Sequence, residues 1–256
     1  MPRFAANISF LFTELPFLEC PAAAAHAGFG AVECHYPYDT PPERLQTALS
    51  AAGIPMLGIN TNNYAGPARD AGIAAVPGRE AESSARVEQA IAYAPAIGST
   101  SVHITAGNAL PGSTAARSAF IETLRNASER AAGLTFLIEP LNRRENPDYF
   151  LRSIDQAMEL LEAVDRANVR LMFDIYHAQI NEGDILTRFA ASRTRIGHVQ
   201  IAAVPGRGEP DQGELNYAHI VARLDELGYA GWIGAEYRPR TTTAAGLGRL
   251  RAYLER

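Results

Sequence analysis

The chain has 256 residues, of which 47% are hydrophobic and 20% are charged, so it can bury a sizeable core and is not a disordered protein. Its formal net charge of −5 gives no general attraction to nucleic acid or to an anionic membrane surface. All 23 basic residues are arginine, which excludes Schiff-base chemistry, pyridoxal phosphate attachment and the phosphate-cradling loop motif, because each of them needs a lysine.

Cysteine usage and the hydropathy pattern indicate the compartment. Cys20 and Cys34 are too few for a disulfide framework and lack the spacing of a metal site. The N-terminus shows no basic segment followed by a long apolar core, and no run approaches the ~20 apolar residues that a membrane helix needs. We therefore expect a cytoplasmic protein with no membrane partner. A homo-oligomer is compatible with the sequence.

Short apolar runs alternate with helical patterns through the first half of the chain. The predicted strands cover 4–10, 31–34, 54–59 and 101–105, and the predicted helices cover 16–27, 41–52, 80–97 and 114–132. Pro41 and Pro42 suit the first turn of their helix, and Gly28 and Gly53 are typical helix stops. The stretch 61–78, rich in Asn, Gly, Pro and Ala, is long for a loop in a compact domain.

The second half repeats the same alternation. Apolar runs at 134–139, 169–174, 196–200 and 232–236 predict strands buried on both faces, which is the pattern of a parallel sheet. Helical patterns follow at 153–164, 184–190, 217–227 and 243–254, and Ser153 with Gln156 matches a capping box. Eight strand–helix units without a linker predict that residues 1–256 form a single (β/α)8 TIM barrel, an α/β fold. We expect 61–78 to cover its mouth.

The last four predicted strands each end on an oxygen-bearing side chain. These side chains are Glu139, Asp174, Gln200 and Glu236. Active sites of (β/α)8 barrels lie at the carboxyl ends of the strands, and three carboxylates gathered there could not all ionise unaided. A divalent cation resolves that repulsion, and an all-oxygen set favours Mg²⁺ or Mn²⁺ over zinc. The alternative is that these side chains form ion pairs with arginines at the barrel rim.

Five segments together resemble the hydroxypyruvate isomerase family. They are Ile-Glu-Pro-Leu-Asn at 138–142, Phe-Asp-Ile-Tyr-His at 173–177, His-Val-Gln-Ile-Ala at 198–202, Pro-Gly-Arg with Glu-Pro-Asp within 205–211, and Glu-Tyr-Arg-Pro at 236–239. That family belongs to the xylose-isomerase-like barrels, together with sugar 3-epimerases and 2-oxo-tetronate isomerases. The resemblance implies that Glu139, Asp174, Gln200 and Glu236 bind the metal and that Glu139 and Glu236 also carry protons. Sugar 3-epimerases usually have a histidine at the position of Gln200, which favours the small-hydroxyacid branch.

The implied reaction is an aldose–ketose type isomerisation, such as hydroxypyruvate to tartronate semialdehyde (2-hydroxy-3-oxopropanoate). Moving a carbonyl to the adjacent carbon requires removal of an α proton and passage through an enediolate. A carboxylate can act as the base, and a metal can stabilise the developing charge. One base suffices for an isomerase, whereas an epimerase needs two on opposite faces. Two glutamates on one metal permit either reaction.

Three further residues are candidates for substrate binding. Three carboxylates against a divalent ion leave about one surplus negative charge, so a carboxylate substrate needs an arginine, and Arg207 on the loop after 196–200 is the first choice. His177 and Glu145 match positions that related sugar epimerases use for substrate. His103 and His198 lie within strand runs and are interpreted as core histidines, and no role is predicted for the others, His26, His35 and His219.

Three classes of function follow from these observations. The leading hypothesis is a metal-assisted isomerase whose partner is a small anionic keto acid or sugar. A DNA-repair endonuclease would need a multi-zinc, histidine-rich site and a basic groove, which six histidines and an acidic balance oppose. A non-catalytic sugar-acid binding barrel would not need a pair of glutamates. We therefore predict no nucleic-acid partner.

Overall fold

Ten strands lie within the residues that this computed structural model describes, which are 3–65, 68–69 and 71–248. They are β1 (Arg3–Asn7), β2 (Ala31–Glu33), β3 (Gly58–Asn60), β4 (Tyr64–Ala65), β5 (Ala68–Arg69), β6 (Ser101–His103), β7 (Thr135–Ile138), β8 (Val169–Asp174), β9 (Ile196–Ile201) and β10 (Trp232–Ala235). The short strands β4 and β5 pair antiparallel with each other. The other eight form one sheet in the order β2-β1-β10-β9-β8-β7-β6-β3, and every neighbouring pair is parallel.

Backbone hydrogen bonds between β2 and the β3 segment close the sheet into a barrel. The Val32 amide donates to the Pro55 carbonyl over 2.9 Å, and the Leu57 amide donates to the Val32 carbonyl over 2.8 Å. Further along, the Asn60 amide donates to the His35 carbonyl over 2.8 Å. These bonds join the first and last strands of the sheet order, so the predicted (β/α)8 barrel is confirmed.

A helical segment follows each barrel strand. Within the described ranges the helices are α1 (Cys20–His26), α2 (Pro42–Ala52), α3 (Glu80–Ala96), α4 (Thr114–Arg130), α5 (Ile154–Val164), α6 (Ile175–Asn181), α7 (Ile185–Ser192), α8 (Tyr217–Glu226) and α9 (Thr243–Gly246). The helix predicted over 243–254 is described only as α9, and its residues from 249 onward lie outside the described ranges. None of the described helices has both the length and the apolar composition that crossing a bilayer requires.

Local signals in the sequence account for the helix ends. Gly53 ends α2 with φ 64°, a left-handed conformation that glycine adopts without a steric penalty. Ser153 caps α5, because its side-chain oxygen accepts a hydrogen bond from the Gln156 amide. The second half of the predicted capping box is wrong, since the Gln156 side chain accepts from the Arg152 amide over 3.0 Å. The Gln156 side chain therefore ties the preceding residue to the helix.

The two faces of the barrel sheet differ in character. Aromatic side chains such as Phe136 and Phe173 are fully buried between the sheet and the helices. At the carboxyl end the buried interior side chains are polar, as at Asn7, Glu33 and Gln200. The loop predicted to cover the mouth contributes Asn63 and Ala71 to the lining of the cavity there, while residues 66, 67 and 70 lie outside the described ranges. The barrel thus presents polar groups at one end, where the strand tips converge.

Candidate active site

The four strand-tip side chains are buried close together at the carboxyl end of the barrel. Glu139 directly follows β7, Asp174 ends β8, Gln200 lies in β9 and Glu236 directly follows β10. Their exposed fractions are 6%, 3%, 3% and 4%, respectively. A cavity of about 280 Å³ opens there, and its lining includes Glu139, Gln200 and Glu236. Parallel strands bring residues from four separate parts of the sequence to one small volume.

Glu139, Asp174 and His177 form one compact group. One ligand atom from each of the three lies within 4.8 Å of the others. The Oδ1 atom of Asp174 accepts a hydrogen bond from the Tyr176 amide over 2.8 Å and caps α6, which leaves Oδ2 facing the site. Burial, then the charges of Asp174 and Glu236, raise the pKa of Glu139 well above its usual value. Burial likewise raises the pKa of Asp174 to about 7, although Arg207 opposes the shift.

His177 faces these carboxylates with a nitrogen that carries a proton. The Asn142 backbone amide donates to His177 Nδ1 over 2.9 Å, so Nδ1 must be the unprotonated nitrogen. Burial, then Arg207, lower the pKa of His177 well below its usual value, so the ring is neutral and its proton lies on Nε2. Nε2 lies 3.6 Å from Asp174 Oδ2 and 3.8 Å from Glu139 Oε1. His177 is therefore placed to donate a hydrogen bond, and a protonated nitrogen does not bind a metal.

Glu236 is surrounded by donors. Its Oε2 atom accepts hydrogen bonds from Asn7 Nδ2 over 2.8 Å and from Gln200 Nε2 over 2.6 Å, and His35 Nε2 lies 3.4 Å away. Its Oε1 atom accepts from Arg207 Nη2. Burial opposes ionisation, but Arg207 and then His35 outweigh it and lower the pKa of Glu236 to about 2. Glu236 is consequently ionised at neutral pH.

Arg207 lies inside the site rather than on the surface of its loop. Its backbone φ is 53°, and its guanidinium lies 4.8 Å from the centre of the Phe10 ring and 5.0 Å from that of Tyr176. Besides Glu236, it lies 3.9 Å from Asp174 and 3.4 Å from the more exposed Glu145. Burial opposes its charge, but Glu236 and Asp174 outweigh it and raise the pKa of Arg207. Its Nε atom is buried and has no hydrogen-bond partner among the described residues.

Two of the four predicted ligands hold an oxygen that is free to bind a cation. Glu139 Oε1 and Gln200 Oε1 are buried and have no hydrogen-bond partner in the described part of the chain. Buried polar atoms normally have partners, so such atoms call for an explanation. Three buried carboxylates face one guanidinium here, and the available donors are oxygens. The residues present therefore fit a divalent cation.

Several residues of the site were missed or misinterpreted at the level of sequence. Glu33, Asn7 and His35 contact Gln200 or Glu236, although only their positions near strand tips signalled them. The interpretation of His103 as a satisfied core histidine is wrong, because its Nε2 has no hydrogen-bond partner within the described ranges and its Nδ1 lies 3.6 Å from Glu139 Oε2. His198 lies in the interior, 2.5 Å from Glu33 Oε2. The site is thus larger than the four strand tips.

Comparisons with known proteins cover the whole barrel. A family described as a xylose isomerase-like TIM barrel matches residues 21–253. A 2-oxo-tetronate isomerase of Cupriavidus necator is 44% identical over 260 residues, covering 100% of both chains. A hydroxypyruvate isomerase of Escherichia coli is 38% identical over 96% of this chain and 97% of the relative. The crystal structure of AP endonuclease, family 2, from Brucella melitensis aligns with a TM-score of 0.94 and 41% identity over 99% of each chain.

Proposed function

This chain belongs to the xylose isomerase-like TIM barrel family, and we propose that it is a metal-assisted isomerase of a small hydroxy-keto acid. The substrate we favour is hydroxypyruvate, converted to tartronate semialdehyde. Relatives named for hydroxypyruvate and for 2-oxo-tetronate support this substrate class. The observation that carries the proposal is the pair of buried glutamates on one cavity. Glu139 keeps its Oε1 atom without a hydrogen-bond partner among the described residues, whereas Glu236 is surrounded by donors.

The reaction transfers a proton between adjacent carbons. A base removes a proton from C3 of hydroxypyruvate, the electron pair forms the enediolate, and a proton returned to C2 gives the aldehyde at C3. The hydroxyl proton moves from the oxygen on C3 to the oxygen on C2, so no oxidant or reductant is consumed. A divalent cation, Mg²⁺ or Mn²⁺, held by Glu139, Asp174, Gln200 and Glu236, supplies Lewis-acid polarisation of the carbonyl when it is bound.

The chain's own residues take distinct roles. Glu139 and Glu236 are the proton carriers, because both are carboxylates that line the cavity. His177 donates from Nε2 to a substrate oxygen, the role that its fixed tautomer favours. Arg207 binds the substrate carboxylate with N–H groups that Glu236 does not use. This role is supported by its buried Nε atom, which has no hydrogen-bond partner within the described ranges. Glu145, 3.4 Å from Arg207, is the outermost of the substrate contacts.

A 2-oxo-tetronate isomerase is the second candidate. The full-length relative at 44% identity carries that name, and a cavity of about 280 Å³ has room for a four-carbon acid. A ketose 3-epimerase remains an alternative on the same pair of glutamates. The name of the Brucella melitensis protein favours an endonuclease. Among the described residues, however, the close group of Glu139, Asp174 and His177 contains a single histidine, its facing nitrogen carries a proton, and the net charge is −5.

A substrate panel tests the proposal directly. Keto acids and ketoses of three to six carbons are assayed with Mn²⁺, with Mg²⁺ and with a chelator, and product is identified by NMR. We expect metal-dependent turnover of hydroxypyruvate or 2-oxo-tetronate, and the ratio of their kcat/KM values assigns the substrate. Turnover of ketoses alone would assign the protein to the epimerases. Metal-dependent binding of the acids without turnover would make it a binding barrel.

A further inference from the structure

We propose, building on the proposed function, that Glu33 is a positioning residue that fixes the orientation of the Gln200 amide. Glu33 lies at the end of β2, a strand that carries none of the proposed ligands or proton carriers. Its side chain is 5% exposed and points into the barrel interior, where an ionisable group is costly without partners. The contacts of the Glu33 carboxylate should therefore show how the cost of its burial is offset.

The contacts of Glu33 come from the neighbouring strand β1 and, across the barrel interior, from β9. Its Oε1 atom accepts a hydrogen bond from Gln200 Nε2 over 2.7 Å and from Asn7 Nδ2 over 3.2 Å. Its Oε2 atom lies 2.5 Å from His198 Nε2, two residues before Gln200 on the same face of β9. The carboxylate thus spans from β2 across β1 and β10 to β9.

A glycine makes room for this arrangement. Gly234 lies in β10, between β1 and β9 in the sheet. A Cβ atom added at Gly234 would lie 2.5 Å from Glu33 Oε1, closer than real Cβ contacts come. A side chain at position 234 would therefore force the Glu33 carboxylate out of its present position.

These contacts decide which atom of Gln200 faces the metal site. The Gln200 nitrogen lies between two carboxylate oxygens, Glu33 Oε1 at 2.7 Å and Glu236 Oε2 at 2.6 Å. Carboxylate oxygens accept hydrogen bonds, so the atom between them must be the NH₂ group and not the amide oxygen. The amide oxygen is then the atom left buried without a partner in the described part of the chain. Glu33 in this way presents an oxygen, rather than a nitrogen, to a cation.

The proposal is tested by Mn²⁺ titration calorimetry on the purified chain, which does not depend on turnover. The variants are Glu33→Met, which removes the acceptor at similar volume, and Glu33→Gln, which keeps one oxygen for Gln200. The control is Ser101→Ala, which alters the same interior cavity without touching Glu33. We expect Glu33→Met to lose about 10- to 100-fold in Mn²⁺ affinity, Glu33→Gln to recover most of it, and Ser101→Ala to match the wild type.

A double-mutant cycle shows whether Glu33 acts through Gln200. In a Gln200→Met background, Glu33→Met should cause little further loss of Mn²⁺ affinity, because the amide that it orients is already gone. Equal Mn²⁺ affinity of Glu33→Met and the wild type, or fully additive losses in the cycle, would overturn the proposal. A wild-type protein that binds Mn²⁺ but isomerises no keto acid would overturn the proposed function and leave the role of Glu33 intact.

Discussion

Glu139, at the end of β7, and Glu236, at the end of β10, line the same cavity but lie in opposite surroundings. Glu236 accepts hydrogen bonds from Arg207, Asn7 and Gln200, and its pKa is lowered to about 2. The nitrogens of His103 and His177 that face Glu139 stop 3.6 and 3.8 Å away, and burial raises its pKa. The half of the site around Glu236 is thus saturated with donors, while the half around Glu139 is poor in donors within the described ranges.

This contrast indicates that the two glutamates differ in how readily they accept a proton. In the metal-free protein, the carboxylate that these donors hold ionised is the weaker base of the two proposed proton carriers. A carboxylate with a raised pKa and a partnerless oxygen can accept a proton readily, or bind a cation instead. In the sequence Glu139 and Glu236 are equivalent, because each follows the last residue of an apolar strand. The difference arises from what the neighbouring strands and the Arg207 loop bring to each.

The largest expected effect is on turnover. Glu139→Gln and Glu236→Gln should each lower kcat for the keto acid by about 10²- to 10⁴-fold, the usual contribution of a positioned acid or base. The measurement is kcat at saturating Mn²⁺ and substrate. Glu182→Gln is the matched control, because Glu182 is a largely buried glutamate that bonds Arg188 and the Ile154 amide away from the cavity. Either variant with more than a tenth of wild-type turnover would remove that glutamate from the mechanism.

The same two substitutions should change the stability of the metal-free protein in opposite directions. Glu236→Gln removes the main partner of the buried Arg207 guanidinium and should destabilise the fold by about 3 kcal/mol, or roughly 6 to 12 °C in Tm. Glu139→Gln should raise Tm at pH 7, because it removes a carboxylate that burial and two neighbouring charges disfavour.

The destabilising effect of the buried Glu139 carboxylate should depend on pH. Since its pKa is raised in the folded state, the folded protein binds more protons than the unfolded chain above pH 4.5, and Glu139 lowers stability as pH rises. The gain in Tm from Glu139→Gln should therefore vanish near pH 4 and grow toward pH 7. Thermal unfolding with a chelator across that range tests it, and a pH-independent difference would contradict the assignment.

The strand tips could be predicted from the sequence, and the interior partners could not. Asp174 and Glu236 could be predicted as site residues, because each ends an apolar run and parallel strands bring such ends together. Glu33 and Gln200 are 167 positions apart, and their meeting depends on barrel closure and on the space at Gly234. The inward position of Arg207 depends on a left-handed backbone that no local pattern indicated. Sequence thus located the polar end of the barrel but not the contacts within it.

A smaller effect is expected where the two halves meet, at Arg207. Arg207→Met should raise KM for hydroxypyruvate about 30-fold, equivalent to about 2 kcal/mol, the low end for truncating one partner of a buried charge pair. Arg238→Met is the control, because Arg238 is a mostly exposed arginine 3.9 Å from Glu145. An unchanged KM in Arg207→Met would leave Arg207 as a structural partner of Glu236 and no more.

The smallest expected effect is at Glu145, which approaches the saturated half from outside. Its side chain is 28% exposed, and its oxygen lies 3.4 Å from Arg207 Nη1, so solvent screens the pair. Glu145→Gln should change KM by no more than about five-fold, because exposed ion pairs contribute up to about 1 kcal/mol. Raising the salt concentration should further reduce the difference in KM between Glu145→Gln and the wild type. An increase in KM as large as that of Arg207→Met, and insensitive to salt, would show that Glu145 acts by binding the substrate directly and not through its ion pair with Arg207.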